Sequence, residues 1–416
     1  MEIATKSDDA TDATDPNERA AIAADAVVGR HLRPLWFLPG TRVADVAWPV
    51  GSLPMDVLRS RFGMWHYWWH AHLVDLLVDA AIHRPDGAIA TPAADGRAAV
   101  TRPEMAVIVK RLLRGIRIRN LGKWTNNYYD DMAWLGLAIE RADRHLGLHH
   151  PRALATLAGR MHNAWEPQRG GGIPWRTTDT FFNAPANGPA TILLARTGDT
   201  RRALAMEDWM DATLIDPESH LVIDGVKPTR TPGEMERVTA IYTYCQGVVL
   251  GSEVEALRLT GDRIHLDRID RLLSAVEQHE APDGVIRGAG GGDGGLFMGI
   301  LARYLALVAT DVPVELPGAD EIRRRAAALV TDSADAAWRT RAVLGGRSGQ
   351  RGVVFSADWH QPATVPSTRD KDAVFVEGAV RSSQTPERDL SVQLSGWMVQ
   401  EAAAAIDLQR SEHASK

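Results

Sequence analysis

Cysteine is almost absent from this sequence of 416 residues, which contains Cys245 alone. A single cysteine excludes an intramolecular disulfide and any metal centre built from several thiolates. An excess of basic residues is also missing, because the formal net charge is −6, and a nucleic-acid partner is therefore disfavoured. These absences disfavour a nucleic-acid partner and a cysteine-based metal centre, and we expect no other metal and no cofactor.

The amino-terminal segment lacks the features of a targeting signal. Its sequence, MEIATKSDDATDATDPNERAA, has neither a basic start nor an apolar core. No apolar run in the chain approaches the ~20 residues that span a bilayer. The sequence as written therefore predicts a cytoplasmic protein without a membrane partner, unless a signal has been removed, and it predicts a disordered tail at 1–15.

Helical periodicity dominates the remainder, for which we predict a single domain over 16–416. Extended structure is expected only at 353–355 and 374–376. Twelve helices joined by alternately short and long loops suggest six helical hairpins, which can close into an all-α toroid of the (α/α)6 type. The helices are predicted near 16–30, 64–82, 103–117, 128–146, 151–167, 183–197, 200–214, 239–260, 264–280, 295–309, 317–339 and 389–407.

Two adjacent acids, Asp130 and Asp131, stand at the predicted start of an amphipathic helix in WTNNYYDDMAWLGLAIERA, residues 124–142. One acid at this position is explained by helix capping or by the helix dipole. Two acids beside Asn126, Asn127 and Tyr128, which are residue types that bind sugars, also fit a carbohydrate-cleaving site. The residues alone leave both interpretations open.

Glycoside cleavage requires two carboxyl groups in opposite protonation states, one ionised and one protonated. Neighbouring residues of a helix point about 100° apart, so their carboxyl groups need not touch, and a separation of about 5 Å suits a retaining mechanism. Two acids this close also disfavour double ionisation, which raises one pKa. The pair at 130–131 therefore has a physical route to divided roles.

A second cluster combines tryptophan and histidine at 63–80, GMWHYWWHAHLVDLLVDA. His66 and His70 have the i, i+4 spacing of a metal pair, but no pattern that would supply a third ligand accompanies them. A helix that lines the core is the favoured interpretation. Within it, Trp69 and His72 are candidates for sugar contacts, although a structural role is open for both.

Three glycine-rich segments separate predicted helices, and we expect such loops to gather at one mouth of the ring. Trp175 is a candidate aromatic platform in the first of them. Asn187, in the helix that follows, either binds a hydroxyl group or caps the helix. Asp293 is a hydroxyl ligand, a helix cap or a structural loop acid. The segments are RGGGIPWRT (169–177), IDGVK (223–227) and IRGAGGGDGG (286–295).

The segment IYTYCQGVVLGSEVEAL, residues 241–257, starts with polar groups. Tyr244 and Gln246 either face the site or satisfy each other in the core. Cys245 has no activating neighbour in the sequence, so we expect it to be buried and inert.

Together these stretches resemble glycoside hydrolase family 76, the endo-α-1,6-mannanase family. The resemblance covers roughly 60–310, in the family's order, and no single stretch would carry it. It is weaker in FSADWHQPATVP and QLSGWMVQEAAAA near the carboxyl terminus. The matching stretches are YWWHAH (67–72), YYDDMAW (128–134), GGGIPW (170–175), FFNAPANGPATILLAR (181–196), LVIDGV (221–226), YTYCQGVVLG (242–251) and GGDGGLFMGILARYLA (291–306).

The resemblance implies an (α/α)6 toroid and a retaining mechanism on α-1,6-linked mannose backbones of α-mannan or lipomannan-type glycans. It implies that Asp130 is the nucleophile and Asp131 the acid/base. The sequence departs from the family at Cys245, where an asparagine is usual, and Met132 is less polar than expected. These departures bear on the substrate more than on the reaction.

Other functions are compatible with parts of the pattern. A transglycosidase would use the same intermediate and pass the glycan to a sugar instead of water. A sugar epimerase would use a histidine base among His66, His70 and His72, and would leave the acid pair unexplained. A carbohydrate-binding protein without catalytic activity would not need the acid pair Asp130 and Asp131.

Overall fold

The computed structural model describes residues 13–51, 53–63, 65–87, 100–231, 233–345 and 352–414. Twelve of the helices in this part of the chain correspond to the predicted ones, and a thirteenth, α2, was not predicted. The helices are α1 (Pro16–His31), α2 (Pro54–Phe62), α3 (Tyr67–His83), α4 (Arg102–Arg119), α5 (Tyr129–Leu146), α6 (Pro151–Asn163), α7 (Ala184–Arg196), α8 (Thr200–Leu214), α9 (Thr243–Thr260), α10 (Arg263–His279), α11 (Phe297–Asp311), α12 (Ala319–Thr340) and α13 (Leu390–Ala414).

Six of these helices form a closed inner ring. Helices α3, α5, α7, α9 and α11 each pack against the next, and α13 joins α11 back to α3. The outer ring consists of α1, α4, α6, α8, α10 and α12, each packed against an inner helix. Six inner and six outer helices make an (α/α)6 toroid, and the predicted fold class is confirmed.

The burial pattern follows from this arrangement. In α7 all twelve residues from Ala184 to Ala195 are buried, because an inner helix is covered on every side. In α6 only Ala153, Leu157 and Met161 are buried, which is the single apolar stripe of an outer helix. The ring therefore encloses one continuous apolar core.

The inner helices all run in the same direction, so their ends meet at two opposite faces. At the carboxyl-terminal face a cavity of about 260 Å³ is lined by Arg141, Arg303, Asp75 and Asp79, among others. Each of these arginines contacts both aspartates. Cations at the negative ends of helices are favoured, so this network stabilises the closed face.

Short strands lie in the loops. The predicted extended segment 353–355 overlaps strand β7 (Gly352–Val354), and 374–376 coincides with β8 (Val374–Val376). The segment 239–241, predicted as helix, belongs instead to β5 (Met235–Ile241), and the other short strands were not predicted. The antiparallel pairings are β1 (Leu32–Arg33) with β2 (Val43–Ala44), β3 (Phe182–Asn183) with β4 (Ile223–Pro228), β4 with β5 (Met235–Ile241), β6 (Ala342–Leu344) with β7 (Gly352–Val354), and β8 (Val374–Val376) with β9 (Ala379–Arg381).

One stretch of the described residues, Gly292–Asp311, is long and apolar enough to cross a membrane, although no such run was expected from the sequence. It comprises a short 3-10 turn and α11, and 72% of its most apolar window is buried within the fold. This burial is that of an inner-ring helix. Most of the predicted tail, 1–12, lies outside the described residues.

Candidate active site

A cavity of about 850 Å³ opens at the amino-terminal ends of the inner helices. Four carboxyl groups face it, those of Asp130, Asp131, Asp224 and Asp293. Its size is within the range of small-molecule sites. The aromatic side chains that line it are Trp65, Tyr67, Trp68, Tyr128, Trp134, Trp175, Phe181, Tyr242, Tyr244, Phe297 and Phe375.

The acid pair lies in the first turn of α5, as predicted. Tyr128 is the extended residue before the helix, and the Asn126 side chain accepts a hydrogen bond of 2.9 Å from its backbone N–H. The next backbone N–H, of Tyr129, donates to the carbonyl oxygen of Trp175 at 2.9 Å. The helix start is therefore fixed by two contacts, and the carboxyl groups that follow point into the cavity.

Asp130 accepts two hydrogen bonds that favour its charged form. Its Oδ2 atom accepts from the indole Nε1 of Trp175 at 2.9 Å, and Oδ1 accepts from the backbone N–H of Asp131 at 2.8 Å. Burial nevertheless raises the pKa of Asp130 to about 6, and the charge of Asp293 adds to this increase. Near neutral pH the carboxyl group is mainly ionised.

Asp131 accepts a hydrogen bond from the Asn126 amide. Burial raises the pKa of Asp131 well above its usual value, and the neighbouring charge of Asp130 raises it further. Ionisation of both adjacent carboxyl groups is unfavourable. Asp130, which accepts two hydrogen bonds, therefore carries the charge, and Asp131 retains the proton. The pair can thus supply one carboxylate and one carboxylic acid.

Asp293 lies in the 3-10 turn Gly292–Leu296, before α11. Its Oδ1 atom accepts from the indole nitrogens of Trp68 and Trp69 at 3.0 Å each, and Oδ2 accepts from the backbone N–H of Val380 at 2.7 Å. Burial raises its pKa to about 6. Three donors converge on this carboxylate, which connects α3, α11 and the β8–β9 hairpin around the cavity.

Asp224 is a cavity residue that the sequence analysis did not single out, although the motif LVIDGV contains it. It lies on β4, where the strand register shifts between Ile223 and Gly225. Such irregularities re-aim side chains. Burial raises the pKa of Asp224 to about 7, and the charge of Asp130 contributes. Its position depends on the pairing of β4 with β5, which no local pattern reveals.

Six of the residues predicted to bind substrate line the cavity together with the acid pair. One of them, Trp175, lies against the β8–β9 turn. Gly378 of this turn has a φ of +99° and packs directly against the Trp175 ring. Another, Tyr244, stacks on Phe297 with ring centroids 3.9 Å apart. The six are Asn126, Asn127, Tyr128, Trp175, Tyr244 and Asp293.

Four other residues predicted to contact substrate are fully buried behind the cavity wall. They do not line the cavity themselves, but they hold lining residues in place. Trp69 donates to Asp293, and the His72 ring packs on Trp134 with centroids 4.5 Å apart. Asn187 bonds both backbone groups of Ile173, which fixes the glycine-rich loop that carries Trp175.

Gln246 is the fourth of these buried residues. Its amide bonds both backbone groups of Val222, at 2.7 and 2.9 Å, and so fixes the strand that carries Asp224. No local pattern indicates that these polar side chains bond to the backbone of distant segments. Cys245 beside it is buried, as predicted.

The histidines do not form a metal pair in this arrangement. Both ring nitrogens of His70 are engaged, one with the carbonyl oxygen of His66 at 2.7 Å and one with the N–H of Ala44 at 3.0 Å. His66 lines the cavity, and its Nε2 atom has no partner among the described residues. Burial lowers the pKa of His66 to about 3, so its ring is neutral.

Away from the cavity, Glu207, Glu253 and His265 lie close enough together to hold a metal ion. Arg268 already contacts this group, at 2.8 Å from Glu207. His265 is 2.8 Å from Glu253. The arginine supplies a positive charge where a metal ion would bind, so the cluster fits a buried ion-pair network between α8, α9 and α10.

Comparisons with known proteins agree on one family. The model of glycosyl hydrolase family 76 matches residues 50–377. The α-1,6-mannanase GH76A of Salegentibacter sp. HEL1_6 has a TM-score of 0.70 and 27% sequence identity, over 94% of this chain and 100% of that chain. No curated protein matches the sequence.

An inactive variant of that mannanase, with two adjacent aspartates changed to asparagine, has been solved in complex with α-1,6-mannotriose. Its TM-score, identity and coverage equal those of the unmodified enzyme. A Listeria innocua protein has a TM-score of 0.70 at 21% identity, over 95% of this chain and 98% of that chain, and supports the fold alone.

Proposed function

Since the chain belongs to glycosyl hydrolase family 76, we propose that it is a retaining glycosidase that cleaves α-1,6-linked mannose chains with Asp130 and Asp131. The observation that carries the proposal is the unequal environment of the two carboxyl groups. Asp130 accepts from an indole and a backbone N–H, whereas Asp131 lies next to that charge. One acid is therefore ionised while the other is protonated.

In the proposed mechanism Asp130 attacks the anomeric carbon as the bond to the leaving oxygen breaks, and a covalent glycosyl-enzyme forms. Asp131 gives its proton to the leaving oxygen. It then removes a proton from an incoming water molecule, which attacks the same carbon and releases Asp130. Each acid returns to its starting state.

The remaining carboxyl groups support this chemistry electrostatically. The transition state resembles an oxocarbenium ion and carries positive charge on the sugar ring. Asp224 and Asp293 face the same cavity, so their negative potential favours that charge. The six inner helices direct their positive ends at this face, which offsets the cost of gathering four acids.

A mannose chain as substrate is supported by the relative that binds α-1,6-mannotriose as an inactive variant. The changed residues in that relative are two adjacent aspartates, as are Asp130 and Asp131 here. The cavity also offers flat aromatic faces beside amide and carboxyl groups, which suits sugars. Its volume of about 850 Å³ fits several sugar units better than a single sugar. We propose that the enzyme is endo-acting, as the α-1,6-mannanase resemblance implies.

The test is incubation with α-1,6-mannan and with α-1,6-mannotetraose, followed by separation of the products. We expect shorter oligosaccharides from the wild type and none from Asp130→Asn. Asp267→Asn is the matched control, because this exposed acid lies on α10 outside the cavity. Absence of cleavage by the wild type, or equal cleavage by Asp130→Asn, contradicts the proposal. Added mannobiose as acceptor separates hydrolysis from transglycosylation by product length.

A further inference from the structure

Helix α2 (Pro54–Phe62) presents its apolar residues to solvent. None of its residues is buried. Met55, Leu58 and Phe62 have the spacing i, i+3, i+7 of a single helix face, and their side chains are 59%, 49% and 50% exposed. An amphipathic helix in a globular protein normally turns this face inward. Here the apolar stripe faces outward.

Polar contacts hold this helix on the protein. The Arg119 guanidinium donates to the carbonyl oxygens of Phe62 and Gly63 at 3.1 and 2.6 Å. Arg33 donates to the carbonyl oxygen of Ser60 at 2.6 Å. These contacts are made to backbone carbonyl groups near the end of α2, and they leave about half or more of each of the Met55, Leu58 and Phe62 side chains exposed.

Two further exposed apolar side chains lie on segments that contact the end of α2. Phe37 is 83% exposed, and its neighbour Trp36 stacks on Phe62 with ring centroids 6.1 Å apart. Leu121 is 88% exposed and adopts a φ of +54°, which is unfavourable for leucine. Several exposed apolar side chains grouped on neighbouring segments are typical of an interaction site. We call the five residues Phe37, Met55, Leu58, Phe62 and Leu121 the apolar patch.

The patch is surrounded by positive charge. Segments 33–62 and 102–123 contain eleven basic and three acidic residues, whereas the rest of the chain contains 36 basic and 50 acidic residues. Lys110, Arg111, Arg114 and Arg117 are exposed on α4, and none of them forms an ion pair with a described carboxylate. An acidic protein therefore carries one strongly basic region, at its exposed apolar surface.

Contacts join the basic residues to the patch. The Arg114 guanidinium lies against Gly40, at the end of the loop that carries Phe37. The Arg61 guanidinium lies 5.7 Å from the centre of the Phe37 ring. Arg117 donates to the carbonyl oxygen of Gly122 at 2.9 Å, beside Leu121. Charge and apolar surface thus form one continuous region.

We infer that the apolar patch and its basic surround dock the protein on an anionic lipid surface. Apolar side chains on a short helix enter the headgroup region, and arginine and lysine bind the acidic headgroups. Charge complementarity favours this occupant over a symmetric dimer through the same surface, because two copies of the same basic region would repel each other. The binding is peripheral and involves no membrane-spanning segment.

The patch borders the mouth of the active-site cavity. Gly63 and Asn120, which follow Phe62 and precede Leu121 in the chain, both line the cavity. Docking would therefore direct the cavity mouth toward glycans attached to the same lipid surface. This consequence rests on the proposed function, whereas lipid binding itself does not.

The test is co-sedimentation with vesicles of phosphatidylcholine alone and of phosphatidylcholine mixed with phosphatidylglycerol. We expect binding to the mixed vesicles that weakens as ionic strength rises. Leu58→Ser should lower the affinity about tenfold, from lost apolar burial. Ile264→Ser is the matched control, because Ile264 is also 49% exposed on a helix.

A second set of variants tests the contribution of positive charge by replacing two of the basic residues. Arg111→Gln combined with Arg114→Gln should lower vesicle affinity by more than about tenfold, because each basic residue near an anionic surface contributes roughly fivefold. Arg160→Gln combined with Arg201→Gln makes the same change in net charge at exposed sites on α6 and α8. This control pair should leave binding nearly unchanged.

Absence of vesicle binding by the wild type overturns the inference, as does an equal loss in the control variants. A wild-type dimer that Leu58→Ser converts to a monomer, measured by light scattering, also overturns it in favour of a second copy. Hydrolysis of soluble α-1,6-mannotetraose is measured for each variant without vesicles. Vesicle binding without hydrolysis would reject the proposed function alone, and the reverse result would reject docking alone.

Discussion

The indole Nε1 of Trp175 donates a hydrogen bond of 2.9 Å to the Oδ2 atom of Asp130. The carbonyl oxygen of the same tryptophan accepts from the N–H of Tyr129, one residue before that acid. One residue of the glycine-rich loop thus fixes the start of α5 and also stabilises the charge on its first acid. In the proposed mechanism, the division of roles between Asp130 and Asp131 would depend on this contact.

Loss of the indole donor should raise the pKa of Asp130. Trp175→Phe keeps an aromatic ring but removes the hydrogen bond. The nucleophile must be ionised, so activity is lost as pH falls through its pKa of about 6. We expect the acidic limb of kcat/KM to move upward by about one pH unit in the variant. The reason is that the free energy of a hydrogen bond to a charged group corresponds to a pKa shift of about that size. An unshifted acidic limb would show that Trp175 does not stabilise the charge of Asp130.

Asp131 should govern the basic limb of the same profile. In the proposed mechanism it acts as a protonated acid, and its pKa is raised, so we expect activity to persist above the usual range of an aspartate and to decline as pH rises through the raised value. Asp131→Asn removes the acid, and activity should fall by roughly 10²–10⁴-fold.

A substrate with an activated leaving group provides the control for that variant. A dinitrophenyl α-1,6-mannobioside needs no proton on its leaving oxygen, so Asp131→Asn should still release dinitrophenol in a rapid first turnover. Hydrolysis of both substrates reduced to the same extent would count against Asp131 as the acid.

The charge of Asp224 should matter only where that group is ionised. Its pKa is about 7, so the neutral asparagine of Asp224→Asn mimics the protonated form present at lower pH. We expect similar kcat/KM for variant and wild type at pH 5. The variant should lose activity relative to wild type as pH rises above 7, because a nearby carboxylate stabilises an oxocarbenium-like transition state. A pH-independent ratio would indicate a hydrogen-bonding role instead.

Closure of the ring should depend on Glu401. This residue of α13 contacts His83 and Arg84 at the end of α3 and accepts from Trp397 at 2.8 Å. Its pKa is lowered to about 2, mainly by Arg84 against the opposing effect of burial, so its stabilisation is present at neutral pH and is lost as pH falls from about 4 toward 2.

Glu401→Gln should therefore lower the free energy of unfolding by about 3 kcal/mol at pH 7, measured by urea denaturation, because a buried arginine loses its counter-charge. The control is Glu321→Gln, which removes an exposed pair with Arg324 and should change stability by less than about 1 kcal/mol. Equal effects would show that the buried contact does not hold the ring closed.

The outer helices were predictable because they carry a periodic apolar stripe, as α6 does, whereas inner helices such as α7 are mostly apolar along their whole length and were recognised from long apolar segments with helix-start signals. Helix α2 was not predicted, although Met55, Leu58 and Phe62 have helical spacing, because a pattern of only nine residues is too short to distinguish a helix from other structure.

The acid pair was predictable because Asp130 and Asp131 are adjacent in the chain and begin a helix. The roles of Asn187 and Gln246 were not, because each bonds the backbone of a loop or strand that is distant in sequence. Asp224 escaped notice for the same reason, since its direction follows from strand pairing. Local motifs thus located the cavity, and long-range contacts decided which side chains line it.

The central claim is that Asp130 forms a covalent bond to the sugar, and trapping that intermediate tests it most directly. A 2-deoxy-2-fluoro mannosyl substrate with a dinitrophenyl leaving group slows the release of the glycosyl-enzyme, and its mass is read from the intact protein and from peptides. We predict one added sugar per chain, on the peptide that contains Asp130, and none in Asp130→Asn. Attachment to Asp131, or first-formed products of inverted anomeric configuration without any adduct, would contradict the account.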